Sequence, residues 1–255
     1  MKNLIKTAII NPIVSAIDEL KIRKYKGEDV ECPLCHSTFK IFAPAGLKNR
    51  PNARCHHCGS KERHRLSWLY MNQRLDVLNS DRPVRFLHFA PEKTFYQVFA
   101  SLPNLDYVPA DLEADRYHKK GYKDVVKVDI TNIPFQDNSF DFILCNHVLE
   151  HIPDDATAMS ELFRVLKSGG GAILQVPLDY SRDSTYEDFS ITSPEEREKA
   201  FGQKDHVRWY GKDYKDRLEK AGFKVTVDDF IHSFSKNDQF KYGLEDDELI
   251  YYCKK

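Results

Sequence analysis

Cys32 and Cys35 form a CPLC knuckle, and Cys55 and Cys58 form a CHHC knuckle, with 19 residues between the pairs. Each CxxC turn offers two thiolates from one tight bend, and two such bends can close a tetrahedron around zinc. Four protein ligands leave no open position, so the spacing predicts a structural ion rather than a catalytic one. His36, His56 and His57 stand beside these cysteines and could replace one of them, but the spacing ranks them second. Redox-active or unbound cysteines are the plainer alternative.

A second group could move protons. His147 and His151 follow the apolar run FDFILC, and His206 lies in DHVRWYG with Arg208 and Tyr210. An imidazole is the natural general base near neutral pH. His147 is the first candidate, with an orienting hydrogen bond or a pocket wall as its bland role, and His151 could equally anchor its loop. His206, Arg208 and Tyr210 could bind a substrate anion or supply a base, or they could pack as a lid. Asp111 and Asp129 each close an apolar run. A carboxylate there can accept from hydroxyls or amines, or can cap a helix.

These residues need elements to position them. Phe140–Cys145 is a short apolar run that reads as a buried parallel strand. Residues 154–167 carry helical spacing, with Ala158, Leu162, Val165 and Leu166 on one side and Asp154 and Asp155 in the first turn, where the helix dipole favours anions. Gly169, Gly170 and Gly171 are expected to stop that helix, and 172–176 to form the next strand. Further strands are expected over 84–89, 105–111, 125–129, 223–230 and 248–253, and further helices over 60–75 and 212–221. Strands alternating with helices argue for a doubly wound parallel sheet, whose ligands sit at the carboxyl ends of the strands. The polar loop 179–189 should border that ligand edge.

The order FDFILCNHVLEHI, then ELFRVLKSGGGAILQVP, resembles the fourth and fifth strands of class I S-adenosylmethionine-dependent methyltransferases, close to the methyltransferase type 11 group. Ser168 stands where that group usually has proline. The resemblance covers roughly 85–255, is strongest over 129–177, and does not specify the acceptor. It implies an α/β fold, a Rossmann-like seven-stranded methyltransferase sheet whose final strand is an antiparallel insertion, with a small amino-terminal zinc-ribbon module. It implies S-adenosyl-L-methionine as cofactor. Asp111, with Leu112 beside it, would receive the ribose hydroxyls, and Asp129 with Ile130 would sit around adenine. Asn146 and His147 would lie near the sulfonium. The family's first strand normally ends in an acidic residue and a GxGxG turn. Here it ends His88-Phe89-Ala90-Pro91-Glu92, without glycine, which implies a modified pocket in which Ala90 is small enough for close approach.

The chain has 255 residues and a formal net charge of −1, which gives no global attraction to nucleic acid or anionic membrane. From Lys40 to Arg65, however, seven basic residues stand against one acid, Glu62, a local balance of +6 that could hold phosphate or an anionic substrate group, or form a solvated face. The division expected is an amino-terminal helical segment (1–27), a zinc ribbon with a linking helix (28–78) and the methyltransferase domain (79–255). Residues 1–26 could pack as a helix on the chain or a partner, or contact a membrane surface. No apolar run is long enough to span a membrane, and no secretory signal is recognisable, so a cytoplasmic protein with zinc rather than disulfides is expected. Methyl transfer from a sulfonium to oxygen or nitrogen of a small or carrier-linked molecule (sugar, glycan or other metabolite) leads the readings. An RNA methyltransferase whose ribbon presents nucleic acid is the second, and a non-enzymatic zinc-ribbon protein on a degenerate scaffold is the third.

Overall fold

A computed structural model of the chain describes residues 22–46 and 49–255. The helix expected over 1–26 therefore lies, up to residue 21, outside the described residues. The chain divides into two compact units: the described part of 1–81 with 92–104 and 229–249, and 82–91 with 105–228 and 250–255. Both units are discontinuous in sequence.

The first unit holds four short strands, β1 (Lys26–Glu31), β2 (Thr38–Phe39), β3 (Ala43–Ala45) and β4 (Arg50–Arg54), paired antiparallel as β1–β2 and β3–β4. Short ribbons of this size bury too little to stand alone. They are held by helices α1 (Glu62–Gln73), α2 (Lys93–Phe99) and α7 (Lys236–Tyr242) of the same unit. Leu66, Leu69, Tyr70 and Met71 of α1 are buried, with Tyr70 edge-on to Phe230 at 5.2 Å between ring centroids. Arg65 is also fully buried. Its guanidinium donates to the carbonyls of Ser60, Ala53, Tyr242 and Gly243 at 2.6–2.8 Å, so one buried side chain serves four backbone acceptors. Of the +6 patch read from the sequence, Arg65 is thus internal, and Arg50 pairs with Glu62 at 2.9 Å and Glu245 at 3.4 Å.

The second unit is a seven-stranded sheet in the order β12-β13-β9-β8-β5-β6-β7. Its strands are β5 (Val84–Phe89), β6 (Leu105–Asp111), β7 (Val126–Lys127), β8 (Phe140–Asn146), β9 (Leu166–Gln175), β12 (Lys224–Asp228) and β13 (Ile250–Lys254). β13 runs antiparallel to both β12 and β9, and the other pairs are parallel. β5 sits between β6 and β8, so the chain winds outward in both directions from that seam. This is the switch point at which open α/β sheets bind ligands. Helices α3 (Ala114–His118), α4 (Asp155–Val165), α5 (Pro194–Phe201) and α6 (Tyr214–Lys220) complete the unit with a small ribbon, β10 (Tyr186–Glu187) against β11 (Arg208–Trp209).

The seven expected strands all form, and their edges differ. The third shrinks to Val126–Lys127, because only these residues find ladder partners on β6. The helix expected to reach residue 167 ends at Val165, with Leu166 already extended (ψ 134°). The three glycines do not stop it. They lie inside β9, which skips register between Phe140↔Leu166 and Phe142↔Gly171. Gly169 has φ +79°, and a Cβ on Gly171 would meet Tyr252 at 2.7 Å. Glycine is therefore required there by a bulge and by close packing. The loop 179–189 is tied down by β10, whose Tyr186 and Glu187 pair with Trp209 and Arg208.

Candidate functional site

In the first unit, the four cysteine sulfurs lie within 4.8 Å of one another. Cys32 Sγ is 3.6 Å from Cys58 Sγ, and Cys35 Sγ is 3.7 Å from Cys55 Sγ. A tetrahedron with metal–sulfur bonds of about 2.3 Å has edges of about 3.8 Å, so these separations fit a four-thiolate ion. They are too long for disulfides, and all four cysteines are free. Ser60 Oγ lies 3.2 Å from Cys32 Sγ and 3.3 Å from Cys58 Sγ, an outer-shell hydroxyl for thiolate charge. The thiols cannot all ionise unaided. Cys55 and Cys58 are pushed up, chiefly by the sulfur of Cys32 against them, while hydrogen bonds from neighbouring thiols, Cys32 first, hold Cys35 down. His56 is engaged elsewhere: its ring stacks on Tyr25 at 4.4 Å and meets the Ile41 carbonyl at 3.1 Å.

In the second unit, the residues expected around a cofactor gather at the carboxyl ends of β5, β6, β7 and β8. Phe89 and Ala110 are in register, and so are Phe89 and Cys145. Ala90 follows with φ +48°, the left-handed conformation that glycine adopts most readily, and its N–H donates to the Ala110 carbonyl at 2.9 Å. The bend therefore takes a glycine-like path without glycine. Asp111 ends β6, and one of its oxygens accepts from the Glu113 N–H at 2.7 Å. Leu112 beside it is 55% exposed, an open apolar surface at this edge. Asp129 Oδ1 accepts from both the hydroxyl and the N–H of Thr131, which hold its carboxyl below the usual range. Ile130 is buried in the core, whereas the apolar surface offered at the edge is that of Leu112. His88 is also internal, with Nδ1 2.8 Å from the Tyr107 hydroxyl, and Pro91 is buried. Glu92 belongs to the first unit, where it faces His64 Nε2 at 3.5 Å.

Asn146 is buried at the end of β8, and His147 follows with φ +53°, its N–H donating to the Gln175 carbonyl at 2.7 Å. A non-glycine residue held left-handed costs on the order of 1 kcal/mol, and such residues concentrate at functional sites. The next turn, Leu149–His151, brings Glu150 underneath. His147 Nδ1 is 3.4 Å from Glu150 Oε1, and His151 Nε2 and His206 Nε2 are each 4.0 Å from it. All three candidate bases thus surround one carboxylate. Sequence reasoning missed Glu150. Its signal was its place in LEHI, one residue before His151 and on the turn that follows the β8 edge.

Arg208 explains how His206 reaches that turn from 55 residues away. The guanidinium is 1% exposed and donates to the carbonyls of Leu149, Ile152 and Pro153, while Nε donates to Glu187 at 2.9 Å. The Val207 N–H donates to the Glu150 carbonyl at 2.9 Å. Tyr210 is equally buried, its hydroxyl donating to Asp155 at 2.7 Å, and burial pushes its phenol well up. From the sequence, both residues could bind a substrate anion or pack as a lid. In the structure they are packed, and they strap β11 to the loop after β8.

This sheet order, with its antiparallel β13, is that of the class I methyltransferases. Residues 89–174 match the methyltransferase domain family. Among curated proteins, the chain is similar to a demethylmenaquinone methyltransferase of Staphylococcus haemolyticus, 38% identical over 68 residues, which is 26% of this chain and 28% of that protein. A demethylmenaquinone methyltransferase of a Geobacillus species is 43% identical over 42 residues, 16% of this chain and 18% of that one. The chain thus spans well under a third of the length of these relatives. Among solved structures, a SAM dependent methyltransferase from Archaeoglobus fulgidus superposes with a TM-score of 0.50 at 14% identity, over 77% of this chain and 95% of that chain. That likeness is one of fold. No helix among the described residues is long and apolar enough to cross a membrane.

Proposed function

We propose that this chain is an S-adenosylmethionine-dependent methyltransferase of the cytoplasm, methylating oxygen or nitrogen of a small or carrier-linked acceptor, with zinc held by Cys32, Cys35, Cys55 and Cys58 as a structural ion. The observation that carries this reading is the left-handed Ala90 at the β5 end, which gives the bend its glycine-like path beside Asp111. Asp111 would take the ribose hydroxyls, Leu112 would cover the adenine, and Asp129 would accept from its exocyclic amine. Asn146 and His147 would face the sulfonium. Bound S-adenosylmethionine supplies an activated methyl group, so the protein's own residues align the acceptor, exclude water and receive its proton. His147, about a quarter exposed at the strand end, is the first candidate to receive it. The named relatives are demethylmenaquinone methyltransferases, so their acceptor is by name a small molecule.

The RNA reading is weakened because Arg65 is buried and Arg50 is paired within the basic stretch. Calorimetry with S-adenosylhomocysteine tests the main reading. Wild-type protein should bind it, and Asp111→Ala should lose about 1–3 kcal/mol of affinity through unpaired ribose hydroxyls. A folded wild-type chain that binds none would leave the degenerate-scaffold reading standing in its place.

A further inference from the structure

Glu150 is 1% exposed, and neither of its carboxylate oxygens has a hydrogen-bond partner. His206 is 3% exposed, and its Nε2 is likewise without one. A buried carboxylate and a buried imidazole nitrogen, both unsatisfied and facing each other, cost several kcal/mol unless something sits between them. The ring tautomers say what kind of group that is. His206 Nδ1 lies 3.2 Å from the Phe201 carbonyl, and His151 Nδ1 lies 3.1 Å from the Asp205 carbonyl. A carbonyl only accepts, so each Nδ1 carries the proton and each Nε2 presents a lone pair. Both Nε2 atoms lie 4.0 Å from Glu150 Oε1. The carboxyl and the two imidazoles converge without a hydrogen bond between them, and a backbone carbonyl behind each imidazole fixes its orientation. This is how metal-ligating histidines are held.

We propose that Glu150, His151 and His206 bind a divalent first-row cation, a second metal site separate from the four cysteines. Their ligand atoms all lie within 4.8 Å of one another. Two atoms each about 2.1 Å from a shared ion can be at most about 4.2 Å apart, and both 4.0 Å gaps fall inside that limit. Tetrahedral or octahedral angles need about 3.0–3.4 Å, so both 4.0 Å gaps must close by under about 1 Å, a shift that Glu150 Oε1 and the two rings share. Two imidazoles and one carboxylate select manganese, iron, cobalt or zinc over calcium, and they leave coordination positions open. His147, 3.4 Å from the same carboxylate, is near enough to orient it or to join the set.

Resting on the methyltransferase reading, those open positions would take an oxygen of the acceptor. A hydroxyl bound to the cation would give up its proton to His147 more readily. The new O–CH3 bond then forms as the CH3–S bond breaks, its electron pair returns to sulfur, and the neutral thioether leaves.

The test is a Co2+ titration of the full-length, zinc-loaded protein, followed by visible absorption. One Co2+ per chain is expected, with ligand-field bands but no sulfur-to-cobalt charge transfer. Glu150→Gln, His206→Ala and the rim variant His151→Ala should each weaken it by at least about tenfold, while binding S-adenosylhomocysteine as wild type does. Wild-type protein that takes up no Co2+ beyond the cysteine site would overturn the proposal, as would folded variants of undiminished Co2+ affinity. Wild-type protein that binds Co2+ but not S-adenosylhomocysteine would keep this site and remove the transferase reading instead.

Discussion

Ala90 and His147, at the carboxyl ends of the adjacent parallel strands β5 and β8, share a left-handed backbone, with φ of +48° and +53°. Each is fixed there by its own N–H, which donates to the carbonyl of Ala110 or Gln175 on a neighbouring strand. Strain is thus held on both sides of the seam where a sheet of this kind binds its ligand.

Ala90→Gly should relieve that strain. An L-residue in this region costs about 1–2 kcal/mol, and glycine's larger unfolded-state entropy returns about 0.5–1. The variant should therefore be neutral to about 1 kcal/mol more stable in urea unfolding, with S-adenosylhomocysteine affinity kept. Ala90→Val should be destabilised, because a β-branched side chain suits positive φ least. A stabilised Ala90→Val would mean that the bend is not left-handed.

Cys55→Ser removes a thiolate from a cluster whose sulfurs are 3.6–3.7 Å apart across the two knuckles. Bound zinc measured by mass spectrometry should fall from one ion per chain, and the first unit should lose protection from proteolysis, because metal affinity at such sites is folding free energy. Stoichiometric zinc retained by the variant would show that the ligand set is different.

Arg208→Met removes a buried donor from the carbonyls of Leu149, Ile152 and Pro153 and one of the two arginines on Glu187, which keeps Arg217. Such losses cost on the order of 3 kcal/mol, and equilibrium unfolding should show it. A residue that contacted only substrate would leave stability unmoved.

The same strap should be acid-sensitive. Burial pushes the Glu187 carboxyl up, but hydrogen bonds from Arg217 and Arg208 outweigh it and hold the group below the usual range. A depressed carboxyl contributes stability in full above its unfolded pKa of about 4.3 and loses it as pH falls through the folded value. Thermal melts should therefore drop on acidification below about pH 4. In Glu187→Gln that part of the fall should be missing.

Much of the fold was legible without coordinates. Segments of five to eight residues gave all seven sheet strands, most plainly the central ones, because burial on both faces demands continuous apolar sequence. The two CxxC pairs gave a cluster whose geometry is local to two turns. Gly169 to Gly171 were misread: they looked like a helix stop, yet they accommodate a bulge and the ring of Tyr252, a neighbour 81 residues away from Gly171 in sequence. Arg208 and Tyr210 were left between binding and packing, because polar and aromatic types are common to ligand sites and buried straps alike.

The sequence by itself determined the periodicities, the thiolate spacing and which residue types stand at the strand ends, since each depends on residues close along the chain. Only the tertiary structure decided that Glu150 lies beneath His147, His151 and His206 with its oxygens unpartnered. That convergence depends on Arg208 and the β10–β11 ribbon drawing a segment 55 residues distant onto the β8 turn. Packing of that range leaves no period in the chain, because its partners are set by burial and hydrogen-bond satisfaction rather than by spacing.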